Sequence, residues 1–64
     1  MFREYDVVRT ARRLNTNIDK EQQGEIVIVF EDETKAYEVE FVDESGNTLD
    51  VLTVREVDLE IVIR

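Results

Sequence analysis

The sequence predicts an all-β fold: a small five-stranded SH3-like antiparallel barrel with one short 3₁₀ turn before the last strand. Three observations lead there. Apolar and polar residues alternate with a period of two, most cleanly over residues 36–43, KAYEVEFVD being the surrounding stretch. Turn signals separate short runs rich in Val and Ile, above all Glu44-Ser45-Gly46-Asn47. The chain is also short, 64 residues and 7.5 kDa, so residues 1–64 form a single domain. Closing the sheet hides the edges that so many β-branched residues would otherwise expose. An open antiparallel sheet is the alternative.

The elements follow in order. Residues 5–10 read as a first strand. Val7, Val8, Ala11 and Leu14 have helical spacing, but the adjacent valines disfavour a helix in so short a segment. Residues 12–23, with Asn15, Thr16, Asn17, Asp19 and two glutamines, read as a long polar loop that Ile18 tucks onto the core. Gly24 closes the loop and opens strand two, residues 25–31. There Ile26, Val27, Ile28, Val29 and Phe30 form a continuous apolar run, as in a strand that is covered on both faces or bends. If Val27 and Val29 face the core, Ile26, Ile28 and Phe30 face away.

Residues 31–35 are an acidic turn, and strand three spans 36–43, with Tyr37, Val39 and Phe41 expected inside and Glu38 and Glu40 outside. Gly46 and Asn47 set a hairpin to strand four, 48–54. Residues 55–58 make the 3₁₀ turn. Strand five, 59–63, places Leu59, Ile61 and Ile63 on one face.

Composition removes several function classes. With no Cys and no His, neither a disulfide, an ordinary zinc site nor a Ser-His or Cys-His nucleophile can be assembled. A chain of this size buries only about 60% of its unfolded surface, so its stability rests on apolar packing or on a partner. The absence of Cys fits a reducing, cytoplasmic setting. The longest apolar run, residues 26–30, is too short to cross a membrane as a helix. The charged N-terminus does not read as a signal peptide. The net charge is -8; residues 1–18 hold four Arg against Glu4 and Asp6, a balance of +2, which leaves -10 for the remainder. Generic nucleic-acid binding is disfavoured, and a basic protein partner fits better.

Around Tyr37-Glu38-Val39-Glu40-Phe41-Val42-Asp43 and Gly46 the chain resembles a family of short bacterial proteins catalogued as a domain of unknown function. Asp6-Val7-Val8, Gly24 to Val27 and Leu52-Thr53-Val54 extend the likeness over nearly the whole chain. The resemblance implies an SH3-like barrel and carries no known activity. Two positions depart from the family pattern. Glu21 stands where the family commonly has a Gly, and Gln23 where it tends to have an apolar residue. The family pattern is often polar at Ile28, which implies that Ile28 faces outward.

Candidate chemistry reduces to surfaces. Glu38 and Glu40 lie about 7 Å apart along one strand face, the spacing of an inverting glycosidase pair. On a convex barrel face, however, they have no cleft and no burial to raise a pKa, so no catalytic residue is expected. The acids of 31–33 and Asp43-Glu44 lack the alternate spacing of a calcium loop, so neither metal nor cofactor is expected. Glu38, Glu40, Asp43, Glu44 and Ile28 are instead candidates for a partner-binding surface. Arg12 and Arg13 could grip a partner's carboxylate or phosphate, although pairing within the molecule is the plainer reading. The function expected is a small non-catalytic protein-binding module. The alternative is an antitoxin- or inhibitor-like protein whose acids cover a basic partner, and homo-oligomerisation through strand edges or the Ile28 side stays open.

Overall fold

The computed structural model describes residues 1–63, the side chain of Ile63 excepted. Five antiparallel strands form one sheet: β1 Val7–Thr10, β2 Gln23–Val29, β3 Ala36–Val42, β4 Thr48–Arg55 and β5 Leu59–Ile63, with a 3₁₀ turn, Glu56–Asp58, before β5. The spatial order is β4-β3-β2-β1-β5, so the chain meanders outward from β1 to β4 and then returns beside β1. Among the described residues, no helix is long and apolar enough to cross a membrane.

The core forms on the inner side of this curled sheet. Tyr37, Val39 and Phe41 are all buried, as their alternation predicts, together with Val8, Ile26, Val54 and Leu59. Phe2 closes one end against Tyr37, their ring centroids 5.3 Å apart and tilted. Gly24 belongs to this packing as well. A Cβ there would come within 2.8 Å of Phe41 Cδ1 and 2.9 Å of the Glu40 carbonyl, so only a glycine lets β2 lie this close to β3.

The polar loop between β1 and β2 is held at three points. Asn15 Oδ1 accepts the N–H groups of Asn17 and Ile18, each at 2.8 Å, and this tight turn aims Ile18 into the core, where it is fully buried. The buried Thr10 hydroxyl donates to the Asp19 carbonyl at 2.6 Å and accepts the Gln22 N–H at 2.9 Å, clamping the base of the loop. Arg12 grips Asp58 in the 3₁₀ turn through Nε and Nη2, at 2.8 and 2.9 Å. The ladder ends at β4 and β5. The loop lies beside the β4 end, with Leu14 against the core and Asn15 Nδ2 3.4 Å from Asp50 Oδ2.

Three expectations need correcting. β1 begins at Val7, because Tyr5 adopts a left-handed backbone, φ 69°. β2 does not keep one alternation. Its pairing with β3 shifts between Ile26 and Ile28, a bulge that inserts a residue and reverses the faces beyond it. Ile26 is therefore buried and Val29 still packs on the core, while Ile28 points outward. Leu59 is buried but Ile61, expected on the same inner face, is 41% exposed, since β5 is an edge strand beside a second register shift at Val7/Val8. The expectation for the side chain of Ile63 lies outside the described residues.

Candidate functional site

Strand register assembles one face from three strands. Glu38 lies opposite Ile28 on β2 and Thr53 on β4; Glu40 lies opposite Glu25 on β2 and Val51 on β4. These side chains share the outer side of the sheet, because Tyr37, Val39 and Phe41 take the inner side. Ile28 and Val51 are 48% and 46% exposed. Two hydroxyls orient the β3 carboxylates: Thr53 Oγ1 donates to Glu38 Oε1 at 2.7 Å, and Thr48 Oγ1 donates to Glu40 Oε2.

The ion pairs among the described residues join Arg9 to Glu60, Arg12 to Asp58 and the N-terminal amine to Glu56. None of them reaches Glu25, Glu38 or Glu40. Among the described residues, the face therefore carries three carboxylates that enter no ion pair and two aliphatic side chains about half exposed.

The other expected residues fall elsewhere. Asp43 works inside the hairpin: its Oδ1 accepts the N–H groups of Ser45 and Asn47, both at 2.9 Å. These bonds, led by that from the Asn47 backbone, hold its carboxyl below the ordinary range. Gly46, φ 84°, supplies the left-handed turn residue. Glu44 is exposed on the same turn. Arg12 is engaged by Asp58, whose hydrogen bonds raise the guanidinium pKa further and depress that of the carboxyl. Arg13 Nε donates to the Asn15 carbonyl at 3.1 Å. Both arginines thus serve the long loop, and the structure does not bring them to the face that holds Glu38, Glu40 and Ile28.

Three surface depressions lie at the margins of that face or away from it, the third reaching Thr53. One runs between residues 21–23 and 42–44, one between the 31–35 turn and the 3₁₀ turn, and one between the long loop and β4. Glu38 and Glu40 line none of these three.

Several structurally active residues escaped the sequence reading. Val51 belongs to the outer face, and the alternation of Asp50-Val51-Leu52-Thr53-Val54 could have placed it there. Asp50 accepts the Val51 N–H at 2.9 Å on the edge strand. Glu56 accepts the Tyr37 hydroxyl at 2.6 Å, while that hydroxyl accepts the Phe2 N–H at 3.1 Å. Burial, then the Glu56 bond, pushes the Tyr37 phenol up, and the same bond leads in lowering Glu56. No short-range pattern announces that buried node.

Fold and surface together define a small all-β domain with an acidic, partly apolar outer face. The chain belongs to the family described as Domain of unknown function (DUF4926), whose model matches residues 4–61. No curated protein and no solved structure matches the chain at a significant level.

Proposed function

We propose that this chain is a small, non-catalytic protein-binding module, an SH3-like barrel acting in the cytoplasm and docking a protein partner through the outer face of β2, β3 and β4. The observation that carries this reading is the pair Ile28 and Val51, aliphatic side chains left nearly half-exposed on a strand face in a charge-rich chain. A 64-residue domain has little stability to spare for uncovered apolar surface, so a partner that covers it accounts for its presence. The test is affinity capture from the source cell with the wild-type chain and with the double variant Ile28→Thr, Val51→Thr. Threonine keeps the β-branched shape, so the strands are retained. The expected result is a polypeptide held by the wild type and lost by the variant. An identical set of retained proteins counts against this face.

A second reading, an antitoxin- or inhibitor-like protein that covers a basic partner, is favoured by Glu25, Glu38 and Glu40 standing together outside the ion pairs of the described residues. Capture should then weaken as salt rises and vanish with Glu38→Lys plus Glu40→Lys. Salt-independent capture that survives the charge reversal removes this reading and leaves the first intact.

A further inference from the structure

The outer face has a finer pattern than a charged patch. Glu38 and Glu40 form a column down the middle strand, with Glu25 beside Glu40 on β2. Ile28 flanks the column on the β2 side and Val51 on the β4 side, diagonally across it. The two flanking strands lie about 10 Å apart, twice the spacing of neighbouring strands. Thr53 and Thr48 hold the two β3 carboxylates by one oxygen each, which fixes their direction while they stay partly solvated.

Each class of occupant meets this pattern differently. A purely apolar surface would cover Ile28 and Val51 but strip water from three carboxylates with nothing to pair them. A flexible polycation would pair the carboxylates and leave the two aliphatic side chains in water. Nucleic acid is repelled by the face and by the net charge of -8. A second copy of the chain carries the same negative charge, and Arg12 and Arg13 are already engaged within the chain, by Asp58 and by the Asn15 carbonyl.

Only a segment with both chemistries matches. We infer that this face seats a cationic amphipathic polypeptide segment. Its Lys or Arg side chains reach Glu25, Glu38 and Glu40, and its aliphatic side chains cover Ile28 and Val51. The inference rests on the binding-module reading and adds the partner's chemistry to it. Covering the two aliphatic groups also lowers the local dielectric around the carboxylates, so the apolar and ionic contacts strengthen each other.

The test is fluorescence anisotropy with the full chain and three labelled synthetic probes. The first is an amphipathic Leu/Lys peptide, the second an oligolysine of equal charge, the third the matching Leu/Glu peptide. The expected order is tightest binding for Leu/Lys, binding weaker by about tenfold or more for oligolysine, and none for Leu/Glu. Glu38→Gln with Glu40→Gln, and separately Ile28→Thr with Val51→Thr, should each weaken the Leu/Lys complex by about tenfold. Glu31→Gln with Glu33→Gln, on the exposed turn after β2, should leave it unchanged.

Equal affinity for oligolysine and Leu/Lys overturns the inference, because the aliphatic pair then contributes nothing. So does binding that neither face variant weakens, and so does a failure of Leu/Lys to bind at all. The broader reading is judged apart from these outcomes. A cellular partner that the wild type captures and the Ile28→Thr, Val51→Thr variant loses keeps the module standing even when the cationic probe does not bind.

Discussion

At the scale of single residues, two backbone positions near the start of β2 carry opposite demands. Glu21 sits at φ 64°, in the left-handed region, while its N–H donates to the Thr10 carbonyl at 2.9 Å. A residue with a Cβ is strained there by roughly 1–2 kcal/mol, and a Gly would relieve it at an unfolded-state cost of roughly 0.5–1 kcal/mol. Glu21→Gly should therefore raise the melting temperature, by about 2–6 °C, and Glu21→Val should lower it. Thermal melts followed by circular dichroism decide the sign. Gly24 is the reverse case. Its conformation would suit other residues, but the space is already taken by Phe41, Val39 and the Glu40 carbonyl. Gly24→Ala should cost about 1–3 kcal/mol, as overpacking at a strand contact does, and a urea midpoint equal to the wild type would show that β2 can move away without loss.

At the scale of elements, the 3₁₀ turn and the long loop are held together by groups that titrate in acid. Asp58 lies below the ordinary carboxylate range because of its hydrogen bonds from Arg12, and Glu56 because of its bond from Tyr37. A depressed folded-state pKa gives stability that is fully present above the unfolded value, about 4, and that is lost as pH falls through the folded value. Urea unfolding of wild type and Asp58→Asn across pH should show the variant less stable at neutral pH, with a gap that stays level down to about pH 5 and narrows below about 4. Taking the difference cancels the acid response that both proteins share. A gap independent of pH would mean that Asp58 acts through shape alone. The elements also show what could be read in advance. Strand number, the 3₁₀ turn and the inward row Tyr37, Val39, Phe41 follow from alternation and turn residues, which are local properties. The bulge in β2 does not, because it is set by pairing with β3: an unbroken period puts Ile26 and Ile28 on one face, whereas the bulge buries the first and exposes the second. Ile61 was misplaced for the same reason: an inward position on an edge strand is buried only if something lies over it. For the site, Glu38, Glu40 and Ile28 could be found along the sequence. Glu25 and Val51, far from them in the chain, join only through register.

At the scale of the whole molecule, the outer face is a cost to the free domain. Glu25 stands directly opposite Glu40, and like charges facing each other across strands destabilise by roughly 0.2–1 kcal/mol. The net charge of -8 on 64 residues adds general repulsion. A sheet under stability pressure alone would place Lys or Thr at one of these positions, as it does where Thr53 faces Glu38. Two outcomes therefore separate a face kept for binding from one that merely stays wet. Glu25→Gln should stabilise the free chain by a few tenths of a kcal/mol up to about 1 kcal/mol, and the gain should shrink in high salt as the repulsion is screened. The same substitution should weaken binding of the cationic amphipathic probe, so stability and affinity move in opposite directions. Parallel urea titrations and anisotropy at low and high salt measure both on one sample. A variant that is more stable and binds equally well would remove Glu25 from the docking surface. A variant that is less stable would show that its carboxylate has a structural role in the sheet, and the acidic column would then narrow to Glu38 and Glu40.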